Sequence, residues 1–166
     1  MLFSDESRFR LTRCDGRLRV WARIGERHRE GLVQEVDRFG GGSDMVWAGI
    51  SFNTRTDLVN VPGRMNAARY IEDILANHVV PAGALIDPRF LFQHDNARPH
   101  IAGQTIQFLR DHQIPVMVWP ALSPDLNPIE NLWDKLDRKI RDRRVAPETL
   151  QQLLVVLQEE WANKPQ

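Results

Sequence analysis

The sequence predicts an α/β fold in which a mixed sheet is covered by helices. Three observations carry this. The first third holds apolar segments of strand length separated by turn signals. From Asn66 onward, helical and strand-like segments alternate. Early hairpins followed by β-α-β alternation are the pattern of a mixed sheet with helices packed on it. The length of 166 residues suits one domain whose core needs no covalent staples. A content of 42% hydrophobic and 27% charged residues is that of an ordinary globular chain, neither disordered nor fibrous.

Taken in order, Leu2 to Phe9 opens the chain as an apolar strand. Asp15-Gly16 signals a hairpin turn, with Leu18 to Ile24 returning. Phe39 to Asp44 is glycine-rich and reads as a turn rather than a phosphate cradle, because no helix follows it. Met45 to Phe52 is a nearly continuous apolar run with β-branched and aromatic residues, the mark of a central strand. Asp57 to Gly63 reads as another strand, stopped by Pro62-Gly63. Asn66 caps a helix whose stripe is Ala67, Tyr70, Ile71, Ile74, Leu75 and His78. Arg89 to Asp95 is the next strand. Pro99 to His112 is a helix with Ile101, Thr105, Phe108 and Leu109 on one side. Val116 to Trp119 is a short buried strand ended by Pro120. A helix opens at Pro128 and buries Ile129, Leu132, Trp133, Leu136 and Ile140. A last helix, Pro147 to Trp161, turns Leu150, Leu153, Leu154, Leu157 and Trp161 inward.

Several function classes recede on composition. No run of about 18 apolar residues exists, so no membrane span is expected. The start, MLFSDESRF, lacks the basic and apolar regions of a signal peptide. The single cysteine, Cys14, rules out an internal disulfide and suits a reducing compartment. Lys plus Arg equals Asp plus Glu, 22 each, so net charge gives no argument for nucleic acid. Arginine is nevertheless concentrated in Arg17 to Glu30 and Asp137 to Arg144, runs that suit either phosphate contact or a solvated face.

Three carboxylates hold the chemical interest. Asp5 follows an apolar strand start, and Asp95 ends another strand. In an open α/β sheet, strand ends form the crevice where ligands bind. Glu130 stands at the third position of the helix capped by Asn127 and begun by Pro128. Asn127-x-x-Glu130 also resembles a capping box, in which the carboxylate returns a hydrogen bond to the backbone N–H of the cap. Asp5 and Asp95 are equally open to turn-capping roles. Together, three oxygen-donor side chains suit hard divalent cations, Mg²⁺ or Mn²⁺. Zinc suits them less, because His94 and His100 lack a closed ligand set and Cys14 is remote in sequence. His94 reads as core-facing.

The segments FSDESRF, GGGSDMVWAGI, FQHDNARPH and VWPALSPDLNPIENLWDKL, with the closing EEW, resemble the catalytic domain of mariner-superfamily DNA transposases in the Tc-type branch. The resemblance runs in order along nearly the whole chain, and HDNARPH and WPALSPDLNPIENLW are its most specific parts. Residues 96 to 129, 34 in all, separate Asp95 from Glu130, the gap expected of the D-D-E triad in that branch.

The resemblance implies a ribonuclease-H-like fold and a triad of Asp5, Asp95 and Glu130 that is both catalytic and metal-ligating. Asp5 and Asp95 would share a two-ion Mg²⁺ or Mn²⁺ site, with Glu130 on the second ion. The implied reactions are DNA strand cleavage and strand transfer on transposon ends and target. Implied partners are DNA and a second copy of the chain, with the nucleus as the compartment and no membrane. Asn96, Arg98 and His100 either contact DNA, brace Asp95, or cap the helix that follows. The expected domain is a single catalytic one, residues 1–166, shortened at both ends and without the helix-turn-helix modules that read element ends. Asp44 stands where the resemblance calls for an apolar residue. The competing reading is a catalytically silent remnant that binds nucleic acid or dimerises; a structure-specific nuclease on the same fold is a third.

Overall fold

The computed structural model describes residues 1–11, 42–86, 90–121 and 123–163. The Asp15-Gly16 hairpin, its returning strand, Cys14 and the arginine run from Arg17 to Glu30 lie outside the described residues. So does most of the glycine turn.

Four strands form one sheet in the order β3-β2-β1-β4. β1 (Leu2–Arg10) pairs antiparallel with β2 (Ser43–Ile50), and β2 pairs antiparallel with β3 (Val59–Asn60). β4 (Phe92–Gln93) lies parallel to β1, with Leu2 opposite Phe92 and Phe3 opposite Gln93. Helices stand between β3 and β4, as expected before a strand that joins its neighbour in parallel.

The two-residue period of the strands divides the core in two. Phe9, Val46 and Ala48 face α4 (Pro128–Arg141) and α5 (Leu150–Ala162), packing with Ile129, Trp133, Leu136, Leu153, Leu157 and Trp161. Leu2 and Trp47 face the other way, onto Tyr70, Ile74, Leu75, Val79, Phe92 and Leu109. β2 is buried on both sides, as its unbroken apolar run predicts. Thr149 caps α5 by accepting from the Gln152 N–H, so the helix starts at Leu150 rather than Pro147.

The helix that Asn66 caps is not a plain α-helix. Asn66 Oδ1 accepts from the Arg69 N–H, and α1 (Ala67–Arg69) runs directly into a π-helical segment, Tyr70–Val79, and then α2 (Val80–Ile86). In the π segment the bonds close one residue later than in an α-helix, as in Val80 N–H to Leu75 O. The buried set is Tyr70, Ile74, Leu75 and Val79. His78, which the α-helical stripe placed inward, is half-buried against Trp47, while Val79 takes the core position.

Four expectations need correction. The strand read over Arg89 to Asp95 is only Phe92–Gln93, because the chain turns into a loop at Asp95. The strand over Asp57 to Gly63 is only Val59–Asn60; Pro62 has no N–H to give, and Gly63 turns the chain at φ 73°. The helix read from Pro99 starts at Gly103 as α3 (Gly103–Asp111). Residues 98–101 form a turn instead, and the Pro99 carbonyl accepts from Thr105 Oγ1 at 2.7 Å. Val116 to Trp119 is not a buried strand: one parallel bridge joins Val116 to Phe92, and Val118 is 94% exposed.

Candidate active site

Ser4, one residue before Asp5, joins three elements. Its N–H donates to Gln93 Oε1 at 3.1 Å, and its Oγ donates to the Gln93 carbonyl at 2.9 Å. Its own carbonyl accepts from Asn127 Nδ2 at 3.1 Å. β1, β4 and the start of α4 are therefore fastened together beside Asp5. The β1–β4 pairing ends at Phe3 opposite Gln93, and Asp95 lies two residues further on, in the loop after β4. From α4, Trp133 Nε1 donates to Asp5 Oδ2 at 3.1 Å. Glu130, one turn back on α4, lies near enough to Asp5 for its charge to act on it. Glu130 acts on Asp5 directly, and the charges of Asp5 and Asp95 both reach Tyr70, so the three acids, far apart in the chain, come into one neighbourhood of the fold.

The capping-box reading of Glu130 is decided by the backbone. Asn127 does cap α4, its Oδ1 accepting from the Ile129 N–H at 3.4 Å. The Asn127 N–H, which a capping-box carboxylate would accept, donates instead to the Pro124 carbonyl at 2.8 Å. Among the described residues the Glu130 carboxylate has no hydrogen-bond donor, so the helix fixes its backbone while its side chain stays available.

Asp95 Oδ1 accepts from the Ala97 N–H at 2.9 Å and from His100 Nδ1 at 2.6 Å. His100 is buried, its ring 4.1 Å from Tyr70 and 5.1 Å from His94. Its other nitrogen, Nε2, lies 3.3 Å from Glu6 Oε1, an ion-pair distance that falls short of a well-formed hydrogen bond. His94 is core-facing, 7% exposed, with Nδ1 3.0 Å from the Tyr70 hydroxyl. Asn96 Nδ2 donates to the Trp119 carbonyl at 3.0 Å, tying the loop after Asp95 to the segment that leads toward α4. Arg98 is exposed and pairs with no described acid. None of Asn96, Arg98 and His100 caps α3, whose first residue is Gly103.

Glu6 is the residue that sequence reasoning passed over. The signal was present: Leu2 and Ser4 are buried on one face of β1, and the two-residue period puts Glu6 on that face, opposite to Asp5.

Burial, then repulsion from Glu130 and Glu6, raises Asp5 from 3.8 to about 7. Burial and the Asp125 charge raise Glu130 as well. Asp95 is lowered, chiefly by the hydrogen bond from His100. Burial alone would lower His100, but its hydrogen bond to Asp95 and the Glu6 carboxylate beside Nε2 outweigh that and lift it to about 9. His94, by contrast, is driven down to about 4 by burial and by the His100 charge. It is therefore neutral, with Nδ1 in hydrogen-bond contact with the Tyr70 hydroxyl.

A pH dependence of stability follows. Between pH 3.8 and about 7 the folded chain keeps a proton on Asp5 that the unfolded chain has lost, so stability falls as pH rises through that window. The His100 contribution is complete below pH 6.5 and is lost as pH rises toward about 9. His94, lowered to about 4, works the other way: its contribution rises between about pH 4 and 6.5 and offsets that of Asp5 there. Without divalent ions, the melting temperature of the wild type should therefore decline mainly between pH 6.5 and pH 8, and Asp5→Asn should make the curve rise with pH below 6.5 in melts followed by circular dichroism. Parallel wild-type and variant curves would remove Asp5 as the source.

The donor set suits a hard cation, since all three acids offer oxygen only. Asp95 Oδ2 and both Glu130 oxygens have no hydrogen-bond donor among the described residues. As the side chains stand, no three described His, Cys, Asp or Glu groups are close enough to enclose an ion. Asp5 is turned to Trp133 and Asp95 to His100.

Arginines divide by place. On α4 and the segment after it, Arg138, Arg141 and Arg143 are paired with acids, so much of the Asp137–Arg144 run is neutralised within the chain. Arg8 and Arg10 beyond Asp5 on β1, Arg64 after β3, and Arg98 after Asp95 are exposed and pair with no described acid. No helix among the described residues is long and apolar enough to cross a membrane.

A family model described as DDE superfamily endonuclease matches residues 1–153. The Tcb1 transposase of Caenorhabditis briggsae is 34% identical over 166 residues, covering 99% of this chain and 59% of its own length. The Tc3 transposase of Caenorhabditis elegans is 31% identical, covering 99% of this chain and 49% of its own. The chain thus spans between about half and three-fifths of these relatives. Among solved structures, the Mos1 mariner paired-end complex with Mn superposes at a TM-score of 0.71 and 21% identity, over 98% of this chain and 48% of that one. The Mos1 catalytic domain with Raltegravir and Mg gives 0.62 and 22% over 74% and 64%. The sheet order, the helices on both faces and this likeness make the fold ribonuclease-H-like. With the family model spanning residues 1–153, as far as the first turn of α5, the chain belongs to the DDE superfamily of endonucleases.

Proposed function

We propose that this chain is the catalytic core of a cut-and-paste transposase, performing metal-dependent phosphoryl transfer on DNA: strand cleavage, then attack of the freed 3′-hydroxyl on target DNA. The observation that carries this reading is the approach of Glu130, in the first turn of α4, to Asp5 on β1, with Asp95 two residues past β4 linked through His100 to Glu6. The Tc-element transposases among its relatives support it.

In this reading Asp5, Asp95 and Glu130 would hold a two-ion Mg²⁺ or Mn²⁺ site. Bound divalent ions would neutralise phosphate charge and lower the pKa of a nucleophilic water. The chain's own residues do the positioning. Trp133 orients Asp5, His100 and the Ala97 N–H orient Asp95, and the start of α4 fixes the Glu130 backbone. Exposed Arg8, Arg10, Arg64 and Arg98 line the approach and contact phosphates. A paired-end assembly like the one named for Mos1 would need two such cores, so a homodimer belongs to the reading, as does a nuclear location.

The test is nicking or joining of plasmid DNA by the chain at low salt with Mn²⁺ or Mg²⁺. Activity is expected in the wild type and absent in Asp95→Asn; equal activity in both would refute the reading. A wild type that binds DNA but never cuts it would support the silent-remnant alternative. DNA binding should be blind to sequence and weaken with salt. Each substitution of Arg8 or Arg98 by Ala should reduce the slope of log affinity against log salt by about 0.9.

A further inference from the structure

We infer that Glu6 is a positioning residue for the proposed reaction: through the His100 ring it holds Asp95 so that only Oδ2 faces the metal. The inference rests on the function proposed above. Glutamate is almost never buried unless paired, yet the Glu6 side chain is 17% exposed, and its Oε1 has no hydrogen bond. Its near partner is His100 Nε2 at 3.3 Å. The contact offsets part of the cost of burying the carboxylate.

The ring itself has little freedom. The His100 side chain is 4% exposed. It lies between Tyr70 at 4.1 Å and His94 at 5.1 Å, the two imidazoles inclined by only 13°. With Nε2 toward Glu6 and Nδ1 on Asp95 Oδ1 at 2.6 Å, it is a stiff link from the covered face of β1 to the loop after β4. Asp95 Oδ1 also takes the Ala97 N–H. Two donors on one oxygen leave the other as the metal-facing one, and both donors are set by parts that barely move. Strand alternation gives the pair of neighbours opposite tasks: Asp5 turns to Trp133 and the reacting groups, and Glu6 turns to the ring behind them. A direct ligand role for Glu6 is disfavoured by the same alternation, since its side chain leaves β1 on the face away from Asp5. Outer partners of this kind tune metal affinity without touching the ion.

The experiment uses the whole chain with Glu6→Ala, Glu6→Gln, His100→Ala and the Glu6→Ala/His100→Ala pair. Free Mn²⁺ measured by electron paramagnetic resonance gives affinity, and nicking gives kcat and KM. Glu6→Ala is expected to weaken Mn²⁺ binding on the order of 10- to 100-fold and to lower kcat while KM for DNA holds. Glu6→Gln, which keeps an acceptor and the shape, should recover part of both and shows the effect without loss of fold. The double variant should lose no more than His100→Ala alone, because the two act as one unit. Wild-type Mn²⁺ affinity and kcat in folded Glu6→Ala, or fully additive losses in the pair, would overturn the inference. If the wild type neither binds Mn²⁺ nor cuts DNA, the proposed function fails by itself. The link is then read from the His100 ring by ¹⁵N NMR, where an Nδ1–H signal unmoved by Glu6→Ala would overturn it.

Discussion

Glu130→Gln is expected to cut metal-dependent nicking by about 10³-fold or more, the equivalent of about 4 kcal/mol of lost transition-state stabilisation, with no loss of fold. The two halves of that expectation come from different observations. Activity should fall because an amide is a poorer, uncharged donor to a hard cation. Stability should hold because the carboxylate is not part of the helix cap: the Asn127 N–H goes to the Pro124 carbonyl, and Asn127 itself serves the Ile129 N–H and the Ser4 carbonyl. Removing the charge should even relieve the repulsion that Glu130 imposes on Asp5. The melting temperature without metal should therefore equal or exceed that of the wild type, while nicking disappears. A variant that melts earlier and still cuts would make Glu130 a structural residue and remove the third ligand from the reading.

How far the sequence carried depends on the length of the pattern each element offers. α4 and α5 were legible because Ile129, Trp133, Leu136 and Ile140, and Leu153, Leu157 and Trp161, repeat at helical spacing over three turns or more. β2 was legible because burial on both faces leaves one apolar run. β4 and the Val116 segment were not, since two residues and a single bridge are too short to show a period. Apolar Val118 imitated a core strand while lying in solvent. The π segment was hidden because Tyr70, Ile74 and Leu75 satisfy either spacing; Val79 in place of His78 was the only residue that told them apart. At the candidate site the acids were visible as residue types, whereas their coming into one neighbourhood depends on a fold that no local pattern reports. Glu6 was overlooked because one acid beside another reads as surface, and only the burial of Leu2 and Ser4 turns that face inward.

Trp133 belongs to core and site at once, and two substitutions should separate its roles. Its ring, 4% exposed, meets Trp161 at 5.6 Å and Phe9 at 6.1 Å, and its Nε1 holds Asp5. Trp133→Ala empties the centre of the α4–α5 core and should cost about 3–5 kcal/mol, a large share of a typical total of about 5–15 kcal/mol. For a chain of this size that lowers the melting temperature by roughly 6–20 °C. Trp133→Phe keeps an aromatic ring against Phe9 and Trp161 and should melt much closer to the wild type. It nevertheless removes the only side-chain hydrogen bond among the described residues that lowers Asp5 against burial and two neighbouring acids. Asp5, already raised to about 7, should then hold its proton to higher pH, and a protonated carboxyl is a poor metal ligand. Mn²⁺ binding and nicking by Trp133→Phe should therefore need a more alkaline solution than the wild type, with the fold intact. A Phe variant whose pH profile overlays the wild type would mean that the Trp133–Asp5 contact serves packing alone, and that the acid at the centre of the site is oriented by something else.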